Sequence, residues 1–223
     1  MYFNFQKEVD DKFKFKLLSP FGPRIGHIKL NDSFIKTMIE ITDNILKDKN
    51  KEYFGKSLAG RIHEEIKISI NLMKSEGIYN AICNYQDYYL SSIFPRGYFI
   101  KGEHRKLKTE ISSAWIVSQY EGEYNPPHWH DSCTISSVMY LKIPEYVPRN
   151  IPNKEESDGD IDFINNACVP LTSLENPTQS FQPQVGDMFI FPSRLIHCVH
   201  PFIGPGERRS VSVNAFHLAQ FDD

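Results

Sequence analysis

The sequence predicts a mainly β jelly roll with an α-helical N-terminal flank, and three observations point there. From Arg96 onward, runs rich in β-branched and aromatic residues alternate with Pro, Gly and Asn clusters. About seven or eight such runs fit a double-sheet jelly roll. Before Arg96, apolar residues recur at helical spacing instead. The 223 residues suit a single domain, 1–223, with 1–95 as a mostly helical flank and 96–223 as the jelly-roll core.

Taken in order, Asn31-Asp32-Ser33 is a capping cluster ahead of residues 34–46, where Phe34, Met38, Ile41 and Ile45 share one helical face. A second helix is expected over 60–74, with Ile62, Ile66, Ile68 and Leu72 apolar, and a third, shorter one over 86–94. These helices suit the outside of a sheet and carry no evident catalytic residue; His27 and His63 read as surface or packing histidines. Strands are expected over 97–101, 112–118, 134–143, 160–163, 180–182, 185–191 and 208–217. Residues 144–159 are polar and proline-bearing, an excursion suited to a lid.

Composition removes several functional classes. With 40% hydrophobic and 13% aromatic residues the chain can build a sizeable core, which excludes disorder. The net charge is −3 with both signs interspersed, so no basic stripe is available for nucleic acid. Cys83, Cys133, Cys168 and Cys198 lack CxxC spacing, which fits free thiols in a reducing cytosol. The N-terminus lacks the apolar centre of a signal peptide, and no run approaches the roughly 18 apolar residues of a membrane span. A soluble cytoplasmic protein is expected, and a homodimer is one assembly open to it.

The chemistry concentrates in the last third. His128 and His130 project to one side of an extended segment, because strand side chains alternate with period 2. His197 follows the apolar run Met188-Phe189-Ile190-Phe191-Pro192. A close imidazole pair opposed by a third is how a non-haem iron site is assembled on a β-scaffold. The run Arg208-Arg209-Ser210-Val211-Ser212-Val213-Asn214 then carries polar side chains at even positions and apolar ones at odd positions. Such a strand suits a barrel that holds an anion, with Arg208 inside and Arg209 as a surface arginine near a turn.

Plainer readings stand beside this one. Two histidines can simply occupy a polar loop, and a structural zinc could draw on His128, His130, Cys133, Cys198 or His200. Structural zinc serves small folds, and this chain is large enough to do without one. His104, His200 and His217 lack partners at ligand spacing. Trp115 and Trp129 read as packing aromatics, with Trp129 also placed to wall a substrate pocket.

Residues 128–141 (His-Trp-His-Asp-Ser-Cys-Thr-Ile-Ser-Ser-Val-Met-Tyr-Leu), 186–201 (Gly-Asp-Met-Phe-Ile-Phe-Pro-Ser-Arg-Leu-Ile-His-Cys-Val-His-Pro) and 208–214 together resemble the Fe(II)/2-oxoglutarate-dependent oxygenases. Within them the likeness is to a prolyl-hydroxylase-like group found in bacteria and phages, and it spans roughly residues 112–217. The resemblance implies a double-stranded β-helix (jelly roll, cupin-like) holding Fe(II) through His128 and His197. Family members commonly carry Asp or Glu where this chain has His130, with Asp131 next to it. Strand alternation favours His130 as the second ligand and leaves Asp131 as the alternative. Arg208 and Ser210 resemble the pair that grips the distal carboxylate of 2-oxoglutarate, a contact a forked guanidinium makes bidentately. Tyr140 matches a strand tyrosine holding the same carboxylate, with a buried core tyrosine as the plain alternative, and Asn214, on the polar face of the Arg208 strand, is expected to line the pocket among the 2-oxoglutarate contacts.

The implied enzyme takes 2-oxoglutarate, O2 and a peptide or small-molecule substrate, hydroxylates the latter, and releases succinate and CO2. Two other functions remain open from the residues: a three-histidine cupin-type dioxygenase that does not use 2-oxoglutarate, and a non-catalytic barrel-fold binding protein.

Overall fold

The computed structural model describes residues 6–8, 14–18, 22–55, 58–94, 98–100, 103–153, 155–165 and 177–220. In chain order, the first elements are β1 (Gln6–Glu8), β2 (Lys14–Leu18), β3 (Ile25–Lys29), α1 (Asp32–Lys47), β4 (Glu64–Lys67), α2 (Ile70–Ser75) and α3 (Ile78–Ile93). The strands β5 (Tyr98–Ile100), β6 (Glu103–Gln119), β7 (Asn125–His128), β8 (Ile135–Lys142) and β9 (Ile161–Ile164) follow. The chain closes with β10 (Thr178–Phe181), β11 (Asp187–Pro192), β12 (Ile196–Val199) and β13 (Arg208–Gln220).

Two antiparallel sheets form. The larger is ordered β1-β2-β3-β11-β8-β13-β6-β4, with β5 paired to β6, and the smaller is ordered β10-β9-β12-β7. The eight consecutive strands β6 to β13 divide four and four between the sheets, the jelly-roll arrangement expected from the sequence.

The capping cluster starts α1 as its chemistry dictates: Asn31 Oδ1 accepts the Phe34 amide at 2.9 Å. Asp32 in the first turn and Lys47 in the last complement the helix dipole. Residues 60–74, however, do not make one helix. Ile66 and Ile68 are both fully buried, and that period of two belongs to a strand. β4 accordingly lies against β6 with Ile66 opposite Ile116, and helix resumes only at Ile70. α3 begins well before residue 86, because Gly77, at φ +72°, turns the chain so that Ile78 and Ile82 can be buried. The N-terminal flank also adds strands at both ends of the larger sheet, β3 against β11 and β4 against β6. Its helical description therefore covers only part of it.

Alternation along β8, β11 and β13 creates two separate apolar layers. Met139, Met188, Ile190, Val211 and Val213 face outward and pack with Met38, Ile82 and Tyr89 of the helices. Val138, Tyr140, Phe189 and Phe191 face inward and meet Ile161, Phe163 and Val199 of the smaller sheet. Roughly 25 cal/mol per Å² of apolar surface buried drives both layers together. The helices thus close one face of the larger sheet and leave the other to line the barrel. No helix among the described residues is long and apolar enough to cross a membrane.

Candidate metal centre

Strand pairing brings His128 of β7 directly opposite His197 of β12. His130 lies two residues past the end of β7, where its amide donates to the Ser193 carbonyl at 2.8 Å. The three rings gather with centroids 4.3 Å (His128–His197), 5.0 Å (His130–His197) and 5.4 Å (His128–His130) apart. One ring nitrogen from each lies within 4.8 Å of the others.

The tautomers follow from their partners. His128 Nδ1 donates to the Pro126 carbonyl at 2.7 Å, and His197 Nδ1 donates to the Leu195 carbonyl at 2.9 Å. His130 Nδ1 donates to Asn214 Oδ1 at 2.6 Å, with Ser136 Oγ at 3.0 Å. A carbonyl oxygen accepts only, so each Nδ1 carries the proton and each Nε2 keeps a lone pair for a metal. Burial lowers the pKa of all three. His128 is lowered, His130 falls to about 4 and His197 is well below the usual value, with the neighbouring imidazoles adding to the effect on the last two. All three are therefore neutral near pH 7, the form that binds a metal. Trp115 packs on His130 at 5.6 Å and Phe191 on His197 at 4.8 Å, fixing the rings within an apolar wall.

Asp131 is turned away to an ion pair with Arg194 at 2.6 Å and is largely exposed. His130, not Asp131, is the residue that gathers with His128 and His197. The zinc alternative does not come together. Cys133 is buried beside Ser136, while Cys198 and His200 gather with Asp162 in a separate group. His200 bonds Asp162 at 2.7 Å and His217 bonds Thr134 at 2.7 Å. Among the other histidines, His27 stacks on Phe189 and bonds Asp187, and His63 contacts Glu123. The side chain of His104, and Cys168, lie outside the described residues.

A cavity of about 550 Å³ runs inward from the histidines, a size typical of small-ligand sites. Arg208, Ser210, Ser212 and Asn214 line it from β13, with Val138 and Tyr140 beside them on β8. Arg208 is 1% exposed and donates through Nη1 to Gln119 Oε1 at 3.0 Å. Its guanidinium lies 4.8 Å from the centre of the Tyr140 ring. Among the described residues, Arg208 Nε and Nη2 and the hydroxyls of Tyr140 and Tyr146 have no hydrogen-bond partner. Burial pushes the Tyr140 phenol up to about 12 against the pull of the Arg208 charge, and raises Tyr146 in the same way. Both remain donors at neutral pH. Orphaned buried donors cost about 1–3 kcal/mol each unless an acceptor arrives, so this end of the cavity fits an anion such as a carboxylate.

Asn214 and Arg209 sit in different settings. Asn214 lines the cavity as expected, but its amide oxygen is engaged by His130 and by Ser136 Oγ at 2.9 Å. Asn214 thus stands both in the cavity wall and against the histidine cluster. Arg209 is not a surface arginine: it is 4% exposed and bonds Glu207, Thr42 and Asp43 on the opposite face of β13. Tyr146 and Gln119 escaped the sequence reading. Tyr146 comes from the irregular 144–159 excursion, and Gln119 from the end of β6; neither carries a local pattern that points at Arg208. Gly159, at φ +72°, makes room for Tyr146, since a Cβ there would lie 2.2 Å from its hydroxyl.

Comparisons with known proteins agree with this geometry. Residues 113–214 match the family model described as "Putative 2OG-Fe(II) oxygenase". A search of curated proteins gives no match. Among solved structures, a prolyl-4-hydroxylase from Pseudomonas putida aligns with TM-score 0.51 at 13% identity, covering 82% of this chain and 85% of that one. A prolyl hydroxylase from Trichoplax adhaerens, solved with a hypoxia inducible factor peptide fragment, aligns with TM-score 0.53 at 15% identity, covering 86% and 83%. The α-ketoglutarate-dependent epimerase SnoN of nogalamycin biosynthesis aligns with TM-score 0.56 at 11% identity, covering 86% and 77%. At these identities the structural likeness speaks to the fold, a double-stranded β-helix.

Proposed function

We propose that this chain is an Fe(II)- and 2-oxoglutarate-dependent oxygenase, a reading supported by the match of residues 113–214 to the 2OG-Fe(II) oxygenase family model, and we assign its chemistry to the following residues. His128, His130 and His197 would hold Fe(II) through their Nε2 atoms. Arg208 and Tyr140, with Ser210 opposite Tyr140 in the strand register, would hold the far carboxylate of 2-oxoglutarate. The observation that carries this reading is the set of orphaned buried donors on Arg208 and Tyr140, in the same cavity as three convergent neutral imidazoles.

Bound Fe(II) and 2-oxoglutarate supply the oxidising power, with O2 consumed and succinate and CO2 released. The protein's own residues bind, orient and exclude water. Pro126, Leu195 and Asn214 fix the imidazole tautomers. Gln119 holds one arm of Arg208 so that Nε and Nη2 remain turned to a carboxylate. Phe163, Phe191 and Trp115 keep the metal end dry. The reaction we assign is hydroxylation of a protein side chain or a small metabolite. Relatives of this fold have been solved with a peptide fragment and with a nogalamycin compound, so both substrate classes fit the scaffold. The free thiols of Cys83, Cys133 and Cys198 support a reducing, cytosolic setting.

A second reading draws on His130. Three neutral imidazoles leave the metal one positive charge richer than two imidazoles and a carboxylate, the donor set of three-histidine dioxygenases that need no 2-oxoglutarate. One experiment separates the two. Anaerobic titration of the Fe(II)-loaded protein with 2-oxoglutarate should give a visible charge-transfer band, and aerobic incubation should give succinate. Oxygen uptake that proceeds equally without 2-oxoglutarate, and without the band, would overturn the first reading in favour of the second.

A further inference from the structure

The proposed oxygenase reaction leaves one buried carboxyl of the cavity unused. Glu65 sits on β4, whose alternation sends Ile66 to the helix-covered layer and Glu65 to the cavity. It is 3% exposed. Register places it opposite Val117, which lies opposite Ser210, which lies opposite Tyr140. Glu65 is thus level with the proposed co-substrate carboxylate site but two strands away from Ser210, about 10 Å. At that separation it cannot share the carboxylate that Arg208 would hold.

Around its carboxyl, the described residues offer oxygens and aromatic faces. A Cβ on Gly60 would lie 2.7 Å from Glu65 Oε1 and 2.5 Å from Asn125 Oδ1, so two acceptor oxygens crowd one point of the wall. No described residue hydrogen-bonds the Glu65 carboxyl. Among the described residues the charge acting on it is Glu123, whose carboxylate is itself occupied by the Tyr120 amide and by His63. Phe54, Trp115 and Trp129 line the same cavity, with Phe54 and Trp115 packed at 5.1 Å. An ionised carboxyl buried without a partner is costly, and aromatic faces attract cations. Both features favour a ligand that brings a positive charge.

We propose that Glu65 and Asn125, walled by Phe54 and Trp115, form a subsite for a positively charged nitrogen of the substrate, an amine or guanidinium. Anchoring that nitrogen would leave the remainder of the substrate extending along the aromatic wall toward the three histidines. The inference rests on the oxygenase reading for its meaning, but the binding it requires can be measured without iron or 2-oxoglutarate. A cationic side chain in a peptide and a free amine present the same group.

The test uses intrinsic fluorescence, since the chain's two tryptophans, Trp115 and Trp129, both line the cavity. Metal-free protein is titrated at pH 8 with n-butylammonium, with 1-pentanol as the neutral analogue, and with a blocked lysine tetrapeptide against its norleucine counterpart. Binding of one or both cations at least tenfold tighter than their neutral counterparts supports the subsite, and which cation binds identifies the source. The preference should vanish in Glu65→Gln and persist in Glu65→Asp, with thermal melts of both variants establishing that they fold. Equal binding of cation and neutral analogue by the wild-type protein, or a preference that survives in Glu65→Gln, overturns the proposal. Failure of the succinate assay would leave this outcome untouched, so the two readings fall separately.

Discussion

Arg208 and Arg209 are neighbours in sequence and belong to different functions, because β13 sends them to opposite faces of the larger sheet. Arg208 meets the cavity with two nitrogens unsatisfied, and Arg209 meets α1 and Glu207 with its nitrogens engaged. Loss of a bidentate charge-assisted contact removes about 1.5–3 kcal/mol. Arg208→Ala should therefore raise the KM for 2-oxoglutarate by roughly tenfold or more, at about 1.4 kcal/mol per decade. Steady-state succinate formation against 2-oxoglutarate concentration measures it, and an unchanged KM would remove Arg208 from the site. Asn214 poses a different question, since its oxygen holds His130 Nδ1 at 2.6 Å. Partners that orient a metal ligand typically contribute 10–100-fold in metal affinity. Asn214→Ala should weaken Fe(II) affinity by about that factor, while the KM for 2-oxoglutarate at saturating iron stays within a fewfold. The reverse pattern would restore Asn214 to the co-substrate contacts expected from the sequence.

At the scale of elements, α1 is pinned to the barrel by a compact ionic clamp. Arg209 reaches Asp43 at 2.5 Å and Thr42 Oγ1 at 3.0 Å on the helix, and Lys142 joins Asp43 to Glu207. The Arg209 charge holds Asp43 and Glu207 below the usual carboxylate range. Arg209→Ala strands these partners, a loss of about 3 kcal/mol for a mostly buried pair. The melting temperature should fall by roughly 10 °C for a chain of this length, while the KM for 2-oxoglutarate holds. A melt unchanged within a degree would mean that α1 docks through its apolar stripe alone. The same elements show what a sequence can and cannot disclose. β8, β11 and β13 were legible because each alternates between two buried layers, and the pair His128 and His130 because its spacing is local. Residues 60–74 misled because Ile62, Ile66, Ile68 and Leu72 satisfy a helical spacing loosely, whereas β6 supplies a partner that rewards period two. Tyr146 and Gln119, which meet Arg208, and Glu65, which lines the cavity, were illegible, since each is brought there only by tertiary pairing.

For the whole molecule, the balance between its charged groups sets how stability responds to pH. Glu65 is pushed up to about 7, mainly by burial and further by Glu123. Its folded pKa therefore lies above the ordinary value of about 4.5, so the folded state holds this proton more tightly than the unfolded chain does. That contribution is fully present below about 4.5 and is lost as pH rises through about 7. Asp43, Asp187 and Glu207 run the opposite way, since depressed carboxylates give up their stabilisation as pH falls. Comparing the wild-type protein with Glu65→Gln cancels these other groups and isolates one. Near pH 4, below both values, the two proteins should melt together. At pH 8 the glutamine variant should be more stable by on the order of 3 kcal/mol, because it never places an ionised carboxylate in the wall of the cavity. A cation seated on Glu65 would narrow that difference, since it stabilises only the ionised wild-type site. Thermal melts of both proteins across pH 4–8, with and without n-butylammonium, measure both effects. Parallel melting curves over the whole range would show that Glu65 titrates as an ordinary surface acid and would remove the physical ground for a cation at this position.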